Sequence, residues 1–185
     1  MKKETTCIAA HSSSHTYLVQ LQQKGMKIYG TSFRINKNLI KALKQVHPYF
    51  MGLYPIGTAK TLDIDKGLLV LGPVHSGKTT LMYLVKEKYR LRSCLEIEQH
   101  VLTYGINYYH EYLQLKNRNW CFDDFGSRNT AAHIQVTKQL IEELAKHEKP
   151  CRHHIISSLS LEQISTRYGF KIYEILITHF NIIHL

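Results

Sequence analysis

The sequence is short of acidic residues and has no apolar run long enough to cross a membrane. Its 185 residues include 14 Asp and Glu against 24 Lys and Arg, a formal net charge of +10 at pH 7. This balance favours a polyanionic partner such as nucleic acid, although charge bears on association and not on fold. No stretch reaches the roughly 18 apolar residues that a membrane span requires, and no apolar segment follows the charged start, so we expect no membrane association.

Cysteine is also scarce, with four residues in the whole chain. Cys7, Cys94, Cys121 and Cys151 lie far apart and form no C-x-x-C pair, which is typical of a reduced intracellular protein. We therefore expect the cytoplasm as its location. The hydrophobic content of 44% is sufficient for a packed core, and the length suits one domain with an appendage.

Residues 1–50 differ from the rest because they hold most of the excess positive charge, with Glu4 as their single acid. Basic residues follow helical spacing beside apolar ones, which predicts a helix with a basic face. The basic residues are Arg34, Lys37, Lys41 and Lys44, and the apolar ones are Leu39, Ile40, Leu43 and Val46. We interpret 1–50 as a partly helical segment that contacts DNA or a partner protein; the alternative is a face that is only solvated.

Local breaks divide this segment from the remainder. His11-Ser12-Ser13-Ser14-His15 is interpreted as a loop. A second set of helix-breaking residues then predicts a linker, formed by Pro48, Gly52, Pro55 and Gly57. The sequence thus predicts two parts, the basic segment 1–50 and a domain over 51–185.

From residue 63 onward, short apolar runs alternate with helical periodicity, which predicts a mainly parallel sheet covered by helices. The predicted strands are 66–71, 92–97, 119–124, 154–157 and 181–185. The predicted helices are 78–89, a part of 99–115, 130–148, 160–169 and 171–178. Ser160 and Gln163 form a capping-box pattern at the start of the fourth of these helices.

The most specific motif follows the first predicted strand and opens the first helix of the domain. It matches the phosphate-binding pattern G-x-x-x-x-G-K-[ST], in which backbone amides and a helix amino end hold a polyphosphate. Lys78 would neutralise the outer phosphates, and the Thr79 hydroxyl would ligate Mg²⁺. The predicted nucleotide-binding residues are Gly72, Pro73, Val74, His75, Ser76, Gly77, Lys78, Thr79 and Thr80. The alternative is a glycine turn with an exposed lysine, which leaves the Gly-Lys-Thr-Thr run unexplained.

Two adjacent acids end the third predicted strand, Trp120-Cys121-Phe122-Asp123-Asp124. They emerge at the carboxyl edge of the sheet, where ligands bind in this architecture. We interpret Asp123 as a ligand of Mg²⁺ through water, and Asp124 as the general base that polarises the attacking water. The alternative is a solvated Asp-Asp turn.

These blocks resemble the AAA+ ATPases of the DnaC helicase-loader and IstB transposition-helper group. The resemblance covers about 49–185 and rests on four blocks: 68–82 with the phosphate loop, Asp123-Asp124-Phe125-Gly126, His154–Ser160, and Arg167-Tyr168-Gly169-Phe170-Lys171. It implies a P-loop NTPase fold of the AAA+/ASCE type, with a parallel five-stranded sheet flanked by helices. Because the chain stops at Leu185, we expect no full C-terminal helical lid.

The sequence departs from this family at three positions that bear on catalysis. The family's sensor asparagine, which positions the attacking water, falls at Ser158, and we assign that catalytic role to its hydroxyl. The family's two arginines near the Tyr-Gly segment fall at Lys171 and Ile175. Since an isoleucine cannot stabilise transition-state charge, the sequence predicts slow hydrolysis. Arg128, Lys146 or Arg152 are alternatives that would act from a neighbouring subunit.

The resemblance implies a Mg-ATP-binding ATPase that regulates the engagement of DNA and a replicative helicase in DNA replication, with homo-oligomerisation. One alternative is an IstB-like helper of a transposase, and another is a nucleotide-dependent binding module with little turnover. A small-molecule kinase is disfavoured because it needs an arginine-rich lid and because paired acids suit water activation better.

A mixed aromatic and basic stretch offers a further contact with single-stranded DNA. It contains Tyr104, Tyr108, Tyr109, Tyr112, His110, Lys116, Arg118 and Trp120. The alternative, which we favour, is a buried helical stripe formed by Tyr108, Tyr112 and Leu115, with Trp120 in the core.

Overall fold

The structure is a computed structural model that describes residues 4–52, 62–85, 89–107, 119–146 and 153–185, with side chains from residue 16 onward. Its centre is a sheet of five parallel strands in the spatial order β2-β3-β4-β1-β5. The strands are β1 (Gly67–Leu71), β2 (Arg90–Ser93), β3 (Trp120–Phe125), β4 (His154–Ser157) and β5 (Phe180–His184). The predicted five-stranded parallel sheet is therefore confirmed.

Seven helices accompany the sheet in the described part of the chain. They are α1 (Glu4–Tyr29), α2 (Lys37–Phe50), α3 (Lys78–Leu84), α4 (Cys94–Tyr104), α5 (Ala131–Ala145), α6 (Leu161–Tyr168) and α7 (Phe170–His179). The Ser160–Gln163 capping box at the start of α6 is present in both directions, as the sequence predicts. Gly105 and Gly169 follow the last residues of α4 and α6.

Apolar side chains pack on both faces of the sheet, which explains why its central strands are continuously hydrophobic. Successive residues of β1 alternate between two clusters: Leu69 and Leu71 pack with α4 to α7, whereas Leu68 and Val70 pack with α1 to α3. Trp120 belongs to the first cluster and is 2% exposed, as expected. The two clusters hold the strands rigidly, so the carboxyl edge of the sheet is a fixed platform for the loops above it.

The predicted two-faced helix in the basic segment is present as α2. Leu39, Leu43 and Val46 are buried in the cluster that covers β1, while Lys41 and Lys44 are exposed. Asn36 caps the helix by accepting the Leu39 amide at 2.8 Å. The basic face therefore lies on a helix whose other face is part of the same hydrophobic core as the sheet.

Three local predictions about the amino-terminal segment are wrong. The run His11–His15 lies within α1 and is not a loop, because serine and histidine cost only a few tenths of a kcal/mol in a helix. Pro48 lies within α2, which continues through it to Phe50, and the buried neighbours Val46 and Tyr49 hold this turn against the core. Arg34 precedes the helix and bonds the backbone oxygens of Thr31 and Phe33.

The predicted strand 92–97 is also wrong in its second half. β2 ends at Ser93, whose hydroxyl accepts the Leu95 amide and caps α4. Cys94 and Ile97 are buried on one side of that helix. An N-cap serine ends the strand here, although the residues after it alternate as a strand would. The linker residues Pro55 and Gly57, and the stretch 108–118 with most of the aromatic and basic residues, lie outside the described residues.

Candidate nucleotide site

The loop between β1 and α3 encloses the first residue of the helix. Gly77, just before α3, has a φ of 98°, a left-handed conformation that favours glycine. Lys78 is 8% exposed, and its Nζ donates to the backbone oxygens of Gly72 and Pro73, each at 2.7 Å. The lysine ammonium is thus held inside the loop, beside helix amides that have no partner within the helix.

The charge of Lys78 is poorly solvated and lies near two carboxylates. Burial lowers the pKa of Lys78, and the negative charges of Asp123 and Asp124 partly oppose this effect. A desolvated cation at a helix amino end is an environment that favours a bound anion. The loop therefore has the electrostatics of a phosphate cradle.

An irregularity at the end of β3 gives its two acids different exposure to solvent. The register between β3 and β4 shifts between Phe122 and Phe125, and Asp124 has a φ of 61°. Asp123 is consequently buried at 8% exposure, whereas Asp124 is exposed. A β-bulge re-aims side chains in this way, and bulges are common beside active sites.

Asp123 lies against the phosphate loop. Its carboxylate accepts a hydrogen bond from the backbone amide of Asp124 at 2.8 Å, and the Thr79 side chain is near enough to lower the pKa of Asp123. Burial raises the pKa of Asp123, and the charge of Asp124 raises it too, while the Thr79 side chain, the Asp124 amide and the Lys78 charge lower it; the net shift is upward. A hydroxyl and a carboxylate that line one cavity are oxygen ligands of the type Mg²⁺ prefers, so these residues fit the ion.

Asp123→Asn is expected to stabilise the protein while weakening Mg²⁺ binding. Because the folded-state pKa of Asp123 is raised, its contribution to stability is present at low pH and is lost as pH rises through that value. At pH 7 the variant should therefore unfold roughly 2–4 °C higher, the shift that about 1 kcal/mol gives in a chain of this size. The gain should shrink on acidification toward pH 4.

Thermal unfolding followed by circular dichroism between pH 4 and 8 measures this effect. Asp65→Asn removes an equal charge from an exposed turn and serves as the control. A variant that is less stable than the wild type at pH 7 would show that the carboxylate contributes more through its hydrogen bonds than its burial costs.

The predicted site residues from three different loops converge on one cavity of about 500 Å³. It is lined by Val74, His75, Gly77, Lys78, Thr79, Thr80, Asp123, Asp124, Ser127, Ile156, Ser157 and Ser158. The remaining loop residues lie behind it: Gly72 and Pro73 provide the oxygens that hold Lys78, and Ser76 donates its amide to Pro73. His75 has a φ of 65°, so it occupies a left-handed turn position in the loop.

The end of β4, the strand next to β1, supplies another part of the cavity wall. Ser157 is buried, and its hydroxyl donates to the Phe125 oxygen at 2.7 Å and accepts the Leu159 amide at 3.1 Å. This bridge fixes the turn in which Ser158 is exposed toward the cavity. Ser93, which sequence reasoning missed, donates to the carboxylate of Asp124 at 3.2 Å.

The Asp-Asp-Phe-Gly and Arg-Tyr-Gly blocks are in direct contact. The Phe125 and Tyr168 rings stack with centroids 4.7 Å apart, and Arg167 Nη1 donates to the Gly126 oxygen at 2.6 Å. Gly126 has a φ of 75°, and a Cβ there would overlap the Leu159 side chain. Arg167 and Tyr168 therefore hold the turn that follows the acids. Sequence reasoning identified both blocks but not their contact.

The positions of the family's arginines are occupied by residues that do not reach the cavity. Ile175 packs against the hydrophobic cluster on its side of the sheet. Lys171 is exposed and pairs with Glu142 at 2.8 Å. Arg128 is half exposed and lies 3.8 Å from the buried carboxylate of Glu98, which also bonds His133 at 2.9 Å. Arg152 lies outside the described residues.

The strand order, the loop around Lys78 after β1 and the acids at the end of β3, which β4 separates from β1, define a P-loop NTPase fold. The chain superposes on the DnaC helicase loader with a TM-score of 0.59 at 16% identity, covering 84% of this chain and 94% of that one. It superposes on DnaI with a TM-score of 0.56 at 17% identity, covering 83% and 85%. The resemblance of the sequence to DnaC-type AAA+ proteins is therefore confirmed at the level of fold.

No protein-family model and no curated protein sequence matches the chain. Among the helices in the described ranges, none combines the length and the apolar character needed to cross a bilayer.

Proposed function

We propose that the protein binds Mg-ATP and hydrolyses it slowly, and that it uses the bound nucleotide to regulate a replicative helicase on DNA. The observation that carries the first part is the convergence of Lys78, Thr79, Asp123 and Asp124 on one cavity. A cation, a hydroxyl and two acids around a helix amino end are the groups that phosphoryl transfer from a nucleotide requires.

Each of these groups has a distinct chemical task in this proposal. Lys78 and the loop amides bind the phosphates, and Thr79 and Asp123 hold Mg²⁺. When bound, the metal neutralises charge on the phosphate oxygens. Asp124 is exposed to the cavity and accepts the proton of the attacking water, and Ser93 orients its carboxylate. Ser158, which lines the cavity just after β4, donates a hydrogen bond to the attacking water.

The helicase partner is supported by the shared fold of the DnaC helicase loader. The exposed lysines of α2, with the formal charge of +10, support contact with DNA. A transposase in place of a helicase is the alternative that the IstB resemblance leaves open. We also propose that the active form is a homo-oligomer, since AAA+ sites are completed by a neighbouring subunit.

A nucleotide-dependent binding module with little turnover is the second candidate. The observation that favours it is Ile175, which is partly buried and packs against the hydrophobic cluster at the position where the resemblance implies a catalytic arginine. Without such an arginine, hydrolysis loses roughly 10³–10⁵ in rate. Under this proposal, the protein releases its partner on nucleotide exchange.

Phosphate release with and without single-stranded DNA tests the proposal. Turnover that Lys78→Ala abolishes supports the ATPase, and saturable Mg-ATP binding without turnover supports the module. Affinity capture against a purified replicative helicase and a purified transposase, each with and without ATP, then identifies the partner. Transfer of phosphate to a nucleoside or a sugar would contradict both candidates and support a kinase.

A further inference from the structure

The turn that carries Asp124 has a backbone conformation that depends on its surroundings. Asp124 has a φ of 61° and Gly126 has a φ of 75°, so two residues of one short turn are left-handed. The Ser127 amide closes the turn by donating to the Asp124 oxygen at 3.0 Å. A left-handed residue with a side chain is unfavourable and persists where the surrounding structure determines it. Contacts from outside the turn are therefore needed to keep Asp124 in place.

Two side chains from later elements bond consecutive backbone oxygens of this turn. The Ser157 hydroxyl, at the end of β4, donates to the Phe125 oxygen at 2.7 Å. Arg167, in the last turn of α6, donates from Nη1 to the Gly126 oxygen at 2.6 Å. A hydrogen bond from a guanidinium is roughly twice as strong as one between neutral groups. The turn is thus tied to β4 and to α6, with the stronger of the two bonds coming from Arg167.

The helix that presents Arg167 is itself fixed against the same turn. Tyr168 is buried, and its ring stacks on Phe125 with centroids 4.7 Å apart and planes inclined by 23°. The hydroxyls of Tyr168 and Thr137 are hydrogen-bonded at 3.2 Å, and Thr137 is buried on α5. Tyr168 therefore fixes the backbone of α6, so that Arg167 reaches the Gly126 oxygen from a rigid support.

The direction of the Asp124 carboxylate depends on this turn. The carboxylate is exposed and lines the cavity, where the Ser93 hydroxyl donates to it at 3.2 Å. That bond is longer than the usual range of about 2.5–3.0 Å for a hydroxyl donor and an oxygen acceptor. The Ser93 contact is consequently a weak restraint, and the backbone of the turn sets most of the direction.

We propose that Arg167 is a positioning residue that keeps Asp124 directed into the cavity by holding the Gly126 oxygen. The inference rests on the proposed hydrolysis of ATP and deepens it, because it gives the Arg-Tyr-Gly block a role in the reaction. Arg167 does not line the cavity, so it acts without touching the nucleotide. Its removal should therefore slow phosphate release and leave the affinity for Mg-ATP unchanged.

A double-mutant cycle in single-turnover phosphate release tests whether Arg167 acts through Asp124. Arg167→Met keeps a long side chain without the donor and should slow release roughly 10-fold or more, because small displacements of a catalytic group have effects of this size. In an Asp124→Asn background the same substitution should change the rate by less than about 2-fold, since the group that it positions is already absent. In both backgrounds, Arg167→Met should leave the dissociation constant of Mg-ATP within about 2-fold.

Two further variants separate this role from a general loss of stability. Arg167→Lys retains a cationic donor and should restore part of the lost rate. Arg90→Met makes the same substitution at an exposed arginine at the amino end of β2, away from the carboxyl edge where the cavity lies. It should change neither rate nor affinity. Equal slowing by Arg167→Met in both backgrounds, or a wild-type rate in this variant, would overturn the proposal.

Hydrogen exchange provides a readout that does not require turnover. Arg167→Met should speed exchange of the Ser127 amide roughly 10-fold, as expected when a turn loses one charge-assisted hydrogen bond, and Arg90→Met should not. Unchanged exchange of this amide in Arg167→Met would contradict the proposed hold on the turn. A wild type that binds Mg-ATP but releases no phosphate would instead refute the proposed hydrolysis, and the exchange rates would still decide whether Arg167 holds Asp124.

Discussion

Lys78→Ala is expected to lower the affinity for Mg-ATP by about 100-fold. The lysine is the cation inside the phosphate loop, 8% exposed and bonded to the oxygens of Gly72 and Pro73. Losing a buried, hydrogen-bonded charge contact with a ligand costs about 2–5 kcal/mol, and 1.4 kcal/mol corresponds to tenfold in affinity. Titration calorimetry measures the two dissociation constants.

Lys41→Ala is the matched control for this variant, because it removes the same charge from the exposed face of α2. Its affinity for Mg-ATP should stay within about 2-fold of the wild type, as expected for a surface charge outside the site. Thermal unfolding of Lys78→Ala must also be measured to show that the variant is folded, because the backbone oxygens of Gly72 and Pro73 lose their hydrogen-bond donor. A folded Lys78→Ala protein that binds Mg-ATP as tightly as the wild type would contradict the assignment.

Asp124→Asn is expected to reduce phosphate release at least 100-fold with little effect on Mg-ATP binding. Asp124 is exposed to the cavity, and its carboxylate bonds Ser93, whereas the Thr79 side chain acts on Asp123. A general base contributes typically 10²–10⁴-fold to rate, and an amide cannot accept the proton. Single-turnover phosphate release gives the rate, and calorimetry should show a dissociation constant within about 3-fold.

Asp65→Asn again controls for the loss of charge and should keep the wild-type rate. An Asp124→Asn protein that hydrolyses ATP normally would show that another group activates the water. A wild type that binds Mg-ATP but releases no phosphate would favour the binding module, consistent with an isoleucine at 175 that packs against the hydrophobic cluster. The Asp124 variant therefore separates the site assignment from the question of turnover.

The phosphate loop was predictable because its residues are consecutive. Eight neighbouring positions from Gly72 to Thr79 determine the turn after β1 and the start of α3, and no distant residue is needed to specify them. The buried lysine and the left-handed Gly77 are consequences of that local pattern. The sheet was predictable for a similar reason, since its apolar runs are separated by clear helical periodicity.

The difference between Asp123 and Asp124 was predictable only in part. Sequence order gives adjacent carboxylates, but the bulge that buries Asp123 and exposes Asp124 depends on the pairing of β3 with β4. The hydroxyl of Ser93 reaches Asp124 from a neighbouring strand. Contacts of this kind are set by sheet register, which a single sequence does not display.

The local sequence pattern gave a wrong prediction where a helix cap or tertiary packing determines the secondary structure. The residues around Ser93 alternate like a strand, yet the serine hydroxyl begins a helix. Pro48 resembles a helix breaker, yet it lies in the last turn of α2, whose neighbouring Val46 and Tyr49 are buried.

The most direct test of the account is calorimetric titration of the intact chain with ATP in the presence of Mg²⁺, repeated with GTP and without the metal. We expect saturable, one-site binding of a nucleoside triphosphate that is tightened by Mg²⁺ and weakened about 100-fold in Lys78→Ala. No detectable heat with either nucleotide, and no upward shift in thermal unfolding at millimolar nucleotide, would contradict it.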